Sequence, residues 1–92
     1  MNGQTLLVAK IDFPVVINPD GREHTYLQLA RQLRDAIARG DITGRMPSLM
    51  DLTEATGLAP NTVRRAIKVL ADEGLVVTEP GRGTFTERPG TR

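Results

Sequence analysis

Residues 48–74, SLMDLTEATGLAPNTVRRAIKVLADEG, decide the fold. Ser48 is a helix-capping residue, and Asp51 stands three positions on, the spacing of a capping box. Leu49, Leu52 and Ala55 give a short helix one apolar side, and Gly57 permits a sharp turn after it. Pro60 suits the first turn of the next helix, where the N–H that proline lacks has no intrahelical partner. That helix stops at Gly74. Helix, glycine-containing turn, helix is the helix-turn-helix pattern.

The second of these helices has two distinct faces. Each residue advances about 100°, so Ala66, Ile67 and Leu70 all fall within about 60° of Val63 and point inward with it. Asn61, Arg65, Lys68 and Asp72 gather opposite, with Arg64 off to one side. An amide, a guanidinium and an ammonium near the N-terminal half are the groups that bond purine edges or phosphates in a DNA major groove. Thr62 and the unpaired N–H groups near Pro60 suit a phosphate, helped by the helix dipole. A solvated face with nothing bound is the plainer alternative for any single amphipathic helix. Here a glycine turn precedes the helix and a basic hairpin tip follows it, which favours DNA.

Outward from this unit, Leu75–Thr78 reads as a strand, Pro80–Gly83 as a turn and Thr84–Thr86 as the returning strand. A hairpin in this position makes a wing. Arg82, between Gly81 and Gly83, is its natural DNA-facing residue, because glycine lets the backbone approach a groove closely; a loop arginine in a flexible turn is the alternative. On the other side, Thr25 with Gln28 has capping-box spacing, and Tyr26, Leu29, Ala30, Leu33 and Ile37 recur at helical period until Gly40. Arg31, Arg34, Asp35 and Arg39 lie mostly off that stripe, as a solvated face does.

The leading segment alternates. Leu7, Ala9, Ile11 and Phe13 take one side and Val8, Lys10 and Asp12 the other, which predicts a half-buried strand, continued by Val15–Ile17 and closed by the turn Asn18–Gly21. Such a strand packs on its own domain or pairs with a partner subunit. The expected architecture is mainly α with a small β component: a winged helix-turn-helix of three helices plus a C-terminal hairpin, with an extra N-terminal strand or hairpin. Residues 1–24 are then an extension, 25–87 the winged domain and 88–92 a flexible tail.

Composition narrows the function. The 92 residues fit one small domain, and 39% hydrophobic against 25% charged is ordinary for a soluble chain. With no cysteine, disulfides and thiolate metal sites are excluded. No apolar run spans a bilayer and no basic stretch precedes Leu6–Ala9, so a cytoplasmic protein without a membrane partner is expected, nucleoid-associated when bound. Twelve basic residues against eleven acidic leave only +1, a faint nucleic-acid footprint. Distribution says more, since Ala55–Ala71 holds Arg64, Arg65 and Lys68 and no acid. The single histidine, His24, sits before a helix start, and no metal cluster, nucleophile or phosphate loop accompanies it. Catalytic residues, metal and cofactor are therefore not expected.

These residues resemble the GntR family of bacterial transcription regulators from about Ile11 to Phe85. Tyr26-Leu27-Gln28-Leu29 with Ile37-Ala38-Arg39-Gly40, Met46-Pro47-Ser48 with Asp51-Leu52, Pro60-Asn61-Thr62-Val63, Glu73-Gly74-Leu75-Val76 and Gly81-Arg82-Gly83-Thr84-Phe85 carry the likeness. The Ala59–Val63 start is most similar to the YtrA-type branch. The resemblance implies homodimers on an inverted-repeat operator in double-stranded DNA; without an effector domain, repression by occupancy is the expected mode. It places DNA contacts on Ser48, Asn61, Thr62, Arg64, Arg65, Arg82 and Gly83, to which the polar face and the head of the helix add Lys68 and Pro60. Leu49-Met50 stands where many members have Glu-Arg, Ala59-Pro60 where Ser-Arg is commoner, and Thr43-Gly44 where Pro-Gly is usual, which removes two expected contacts. Members usually carry a C-terminal effector domain; if the chain is complete at Arg92, no small-molecule effector is expected, and dimerisation falls to the N-terminal strand or first helix. An excisionase-like phage or plasmid architectural protein, separable by DNA bending, and a winged-helix protein-interaction module are the competing readings.

Overall fold

The computed structural model describes residues 11–87. Three helices and one hairpin follow in order: α1 (Thr25–Arg39), α2 (Leu49–Thr56), α3 (Pro60–Asp72), β1 (Val76–Glu79) and β2 (Gly83–Thr86). This is a winged helix-turn-helix, mainly α with a small β part. α3 is the hub, because α1, α2 and β1 all pack against it. Leu29, Leu33, Leu52, Val63 and Leu70 are fully buried at the junction, one from nearly every turn that faces it. Removing a leucine from such a site to leave alanine costs about 2–5 kcal/mol, the lost transfer energy plus the cavity.

The predicted helix boundaries hold where local chemistry sets them. Ser48 caps α2, its Oγ accepting the Asp51 N–H at 3.0 Å while the Asp51 carboxylate accepts the Ser48 N–H at 3.3 Å. Gly57 ends α2 at φ 75°, a left-handed conformation that side chains with a Cβ avoid, and this fixes the turn into α3. Pro60 is the first residue of α3.

The start of α1 differs from expectation. His24, not Thr25, occupies the cap position, and no side chain caps the helix. Gln28 has been drawn away by a stronger demand. Its buried amide donates to the carbonyls of Asn18 at 2.8 Å and Glu23 at 2.7 Å, and accepts the Asn18 N–H at 2.8 Å. One turn later Gln32 exchanges the same pair of bonds with Val16, at 2.8 and 2.7 Å.

Those two glutamines also explain the leading segment. Of the expected N-terminal strand, Leu7, Val8, Ala9 and Lys10 lie outside the described residues; from Ile11 to Ile17 no strand forms. Val15 and Ile17 pack against the core, while Val16 is 74% exposed, so the period-two alternation is real. Val16 and Asn18 satisfy their backbones on amide side chains of α1 rather than on a neighbouring strand. Phe13 is buried in the core itself, so the segment before residue 25 helps to close the domain. The tail at 88–92 also lies outside the described residues.

β1 and β2 pair antiparallel with Val77 opposite Phe85 and Thr78 opposite Thr84. Sequence patterning missed a third edge. Arg45 bridges Phe85, the Met46 N–H donates to the Thr84 carbonyl at 2.8 Å, and the Thr86 N–H donates to the Gly44 carbonyl at 2.7 Å. The connection from α1 to α2 thereby anchors the wing's return strand from its outer side.

Candidate nucleic-acid interface

α3 presents its polar residues on two flanks. On one, Arg64 and Lys68 face the wing across an open groove of about 570 Å³, whose other walls include Ser48, Arg45, Thr84 and Gly83. On the other, Thr62 and Arg65 face the first turn of α1, in a smaller concavity shared with His24, Thr25 and Tyr26. The predicted contact residues thus divide: Ser48, Arg64, Lys68 and Gly83 come together, and Thr62 with Arg65 stands apart from them.

Each flank is locally organised. Arg64 donates to the Asn61 side-chain oxygen at 2.6 Å, one turn back along α3. Arg65 lies over the Tyr26 ring, 4.0 Å from its centroid, and the Tyr26 ring stacks in turn with His24 at 6.1 Å. Asn61, Arg64, Arg65 and Lys68 are all exposed, and Pro60 is exposed at the head of the helix. At the wing tip, Arg82 reaches Glu79 at 3.6 Å, and 74% of its side chain stays in solvent. Lys68 is loosely tied to Asp72 at 3.3 Å, with both side chains at least 66% exposed.

The near-zero net charge conceals a segregation. The arginines of α1 are all matched: Arg31 with Glu23 at 2.9 Å, Arg34 with Glu73 at 2.7 Å and Arg39 with Asp41 at 2.8 Å. Hydrogen bonding from Arg34 draws the Glu73 carboxyl below the usual carboxylate range, and the same bond raises the Arg34 guanidinium further. This face of α1 is solvated, as expected, and its arginines are ion-paired. Among the described residues, Arg22, Arg45, Arg64 and Arg65 form no ion pair with a described carboxylate, and the last three surround α3 and the wing. Pairing cancels the arginine charge along α1, and three guanidiniums around α3 and the wing are left without an ion pair.

Two residues on this surface escaped sequence reading. Tyr26 is recognisable as an inward helical position, and nothing in its spacing announces that its ring also holds Arg65. Arg45 lies in a connection without periodicity. Among the described residues, no helix is long and apolar enough to cross a membrane, and no three His, Asp or Glu side chains stand where they could hold a metal ion.

Comparison with known proteins agrees with this fold. The family model for bacterial regulatory proteins of the gntR family matches residues 25–86. The HTH-type transcriptional repressor NagR of Bacillus subtilis (strain 168) is 36% identical over 75 residues, which cover 79% of this chain and 31% of NagR. This chain therefore spans less than a third of that relative's length. YtrA from Sulfolobus acidocaldarius, a GntR-family transcription factor, superposes with a TM-score of 0.73 at 28% identity, covering 80% of each chain. The AraR DNA-binding domain in complex with operator ORE1 superposes with a TM-score of 0.70 at 25% identity, covering 84% of this chain and 96% of that one.

Proposed function

The chain belongs to the GntR family of bacterial regulatory proteins and carries its winged helix-turn-helix DNA-binding domain, and we propose that it is a sequence-specific repressor acting as a homodimer on an inverted-repeat operator. The observation that carries this reading is the gathering of unpaired guanidiniums around α3 and the wing, while those of α1 are neutralised by neighbouring acids.

In this account the N-terminal half of α3 enters the major groove. Arg64 and Asn61 work as a pair. Their mutual hydrogen bond restrains both side chains before DNA arrives, and a guanidinium has donors left for guanine O6 and N7. Arg65 presents the rim of its guanidinium from the Tyr26 side, to a base or a phosphate. Ser48 at the head of α2 and Thr62 near the head of α3 bind phosphates, where helix N–H groups and dipoles favour an anion. Lys68 adds charge farther along, and Arg82 with Gly83 brings the wing to the adjacent groove. Two such domains related by a two-fold axis cover half-sites about 34–36 Å apart, which blocks polymerase by occupancy. NagR's description as a repressor and the operator-bound state of the AraR domain support the outcome and the partner.

Titration of a preferred duplex with wild type and Arg64→Ala, with light scattering of the complexes, tests this. The reading expects two chains per duplex and a loss of roughly 1–3 kcal/mol confined to duplexes that carry the base pair Arg64 contacts. A variant that binds every duplex as wild type does contradicts it.

A further inference from the structure

We infer that Arg45, in the connection between α1 and α2, is a DNA-phosphate contact that belongs to the wing. The inference rests on the DNA-binding reading above and adds to it a residue outside the helix-turn-helix and the hairpin.

Its position is fixed by backbone. Arg45 pairs with Phe85 as a third edge of the wing, with bonds on either side from Met46 to Thr84 and from Thr86 to Gly44. Its side chain is then laid across Gly83. A Cβ placed on Gly83 would stand 3.2 Å from Arg45 Nε and 3.4 Å from Nη2, so the guanidinium covers the space that only a glycine leaves. Gly83 holds φ at 120°, which independently reserves the position for glycine.

The charge so placed is not spent within the domain. Asp12, Asp41 and Asp51 line a concavity beside Arg45, yet none is ion-paired with it; Asp41 is taken by Arg39 and Asp51 by the Ser48 cap. On its other side Arg45 lines the groove that Arg64, Lys68 and Ser48 share with the wing. When α3 lies in a major groove and the wing tip in the neighbouring minor groove, the phosphate strand between the two grooves passes over this groove. Arg45 and Arg64 then stand on opposite walls of its path. Glu79, the carboxylate on the wing wall, is 3.6 Å from Arg82. A planar guanidinium pre-positioned against backbone needs little further ordering to bind a phosphate in bidentate fashion.

The test is the salt dependence of binding to a short mixed-sequence duplex by the full chain, comparing wild type, Arg45→Gln and Arg45→Lys. Glutamine keeps the stem over Gly83 and removes the charge; lysine keeps the charge. The expected result is that Arg45→Gln lowers the slope of log affinity against log salt by about one and weakens binding to every sequence alike, while Arg45→Lys keeps the wild-type slope. A wild-type slope in Arg45→Gln overturns the inference, and so does an equal loss in both variants, which would assign Arg45 to wing packing. A wild-type chain that binds no duplex at any salt overturns the DNA-binding reading itself, and this one with it.

Discussion

The Arg65 guanidinium lies over the Tyr26 ring, its Cζ 4.0 Å from the centroid, and so ties the exposed side of α3 to the first turn of α1. A cation over an aromatic face at a partly exposed site gains about 0.5–1 kcal/mol. The larger consequence is restraint, since a guanidinium already held against the ring loses less freedom when it meets DNA. Tyr26 also packs against the core, so one residue links domain stability to the presentation of Arg65.

Tyr26→Leu should therefore weaken DNA binding by roughly twofold to fivefold, the cation–π energy expressed as affinity. Tyr26→Phe keeps the ring and should bind within error of wild type. Fluorescence anisotropy with a labelled duplex distinguishes the two. Equal loss in both variants would mean that the phenol oxygen, not the ring face, is what matters.

The buried Gln28 amide pairs three backbone groups of the leading segment: the N–H and carbonyl of Asn18 and the carbonyl of Glu23. Gln28→Leu leaves them unpaired and should destabilise the domain by about 1–3 kcal/mol. The expected fall in melting temperature is about 4–8 °C per kcal/mol for a domain of this size. An unchanged melting temperature would show that the leading segment is not held by this side chain.

Glu73 gives the pH dependence a definite sign. Arg34 holds it through two bonds, at 2.9 and 2.7 Å, and its folded pKa lies below the ordinary value. The increment is fully present above the unfolded pKa, about 4.3, and is lost as pH falls through the depressed folded value. Both side chains are more than one-third exposed, so the pair contributes about 1 kcal/mol or less. Glu73→Gln should be slightly less stable than wild type at neutral pH, and the difference should close on acidification below the usual carboxylate range. A difference that widens in acid contradicts the assignment.

Much of this was legible in sequence wherever a local rule had no competitor. Ser48 with Asp51, Gly57, Pro60 and the inward face of α3 do what their spacing says. The Thr25–Gln28 box failed because Gln28 had a better use in the loop, which no local window reveals. The strand read over Ile11–Ile17 failed for a related reason: period-two alternation reports which side is buried, not what satisfies the backbone. On α3, rotation angle alone placed Asn61, Arg65 and Lys68 on one face with Arg64 aside. Contacts from other elements divide them differently, with Arg65 drawn to Tyr26 and Arg64 turned to the wing. Arg45 could not be read at all, because its role depends on a pairing with Phe85, forty residues on.

The central claim is specific recognition of DNA by a symmetric pair of these domains. Selection of the full chain on a random duplex library, with the winner's affinity measured at low and physiological salt, tests it most directly. The account predicts an inverted repeat with half-sites one helical turn apart, still preferred over unselected duplex at physiological salt. Binding that selects no sequence and disappears as salt rises would contradict it, and would mean that α3 and the wing meet only phosphate.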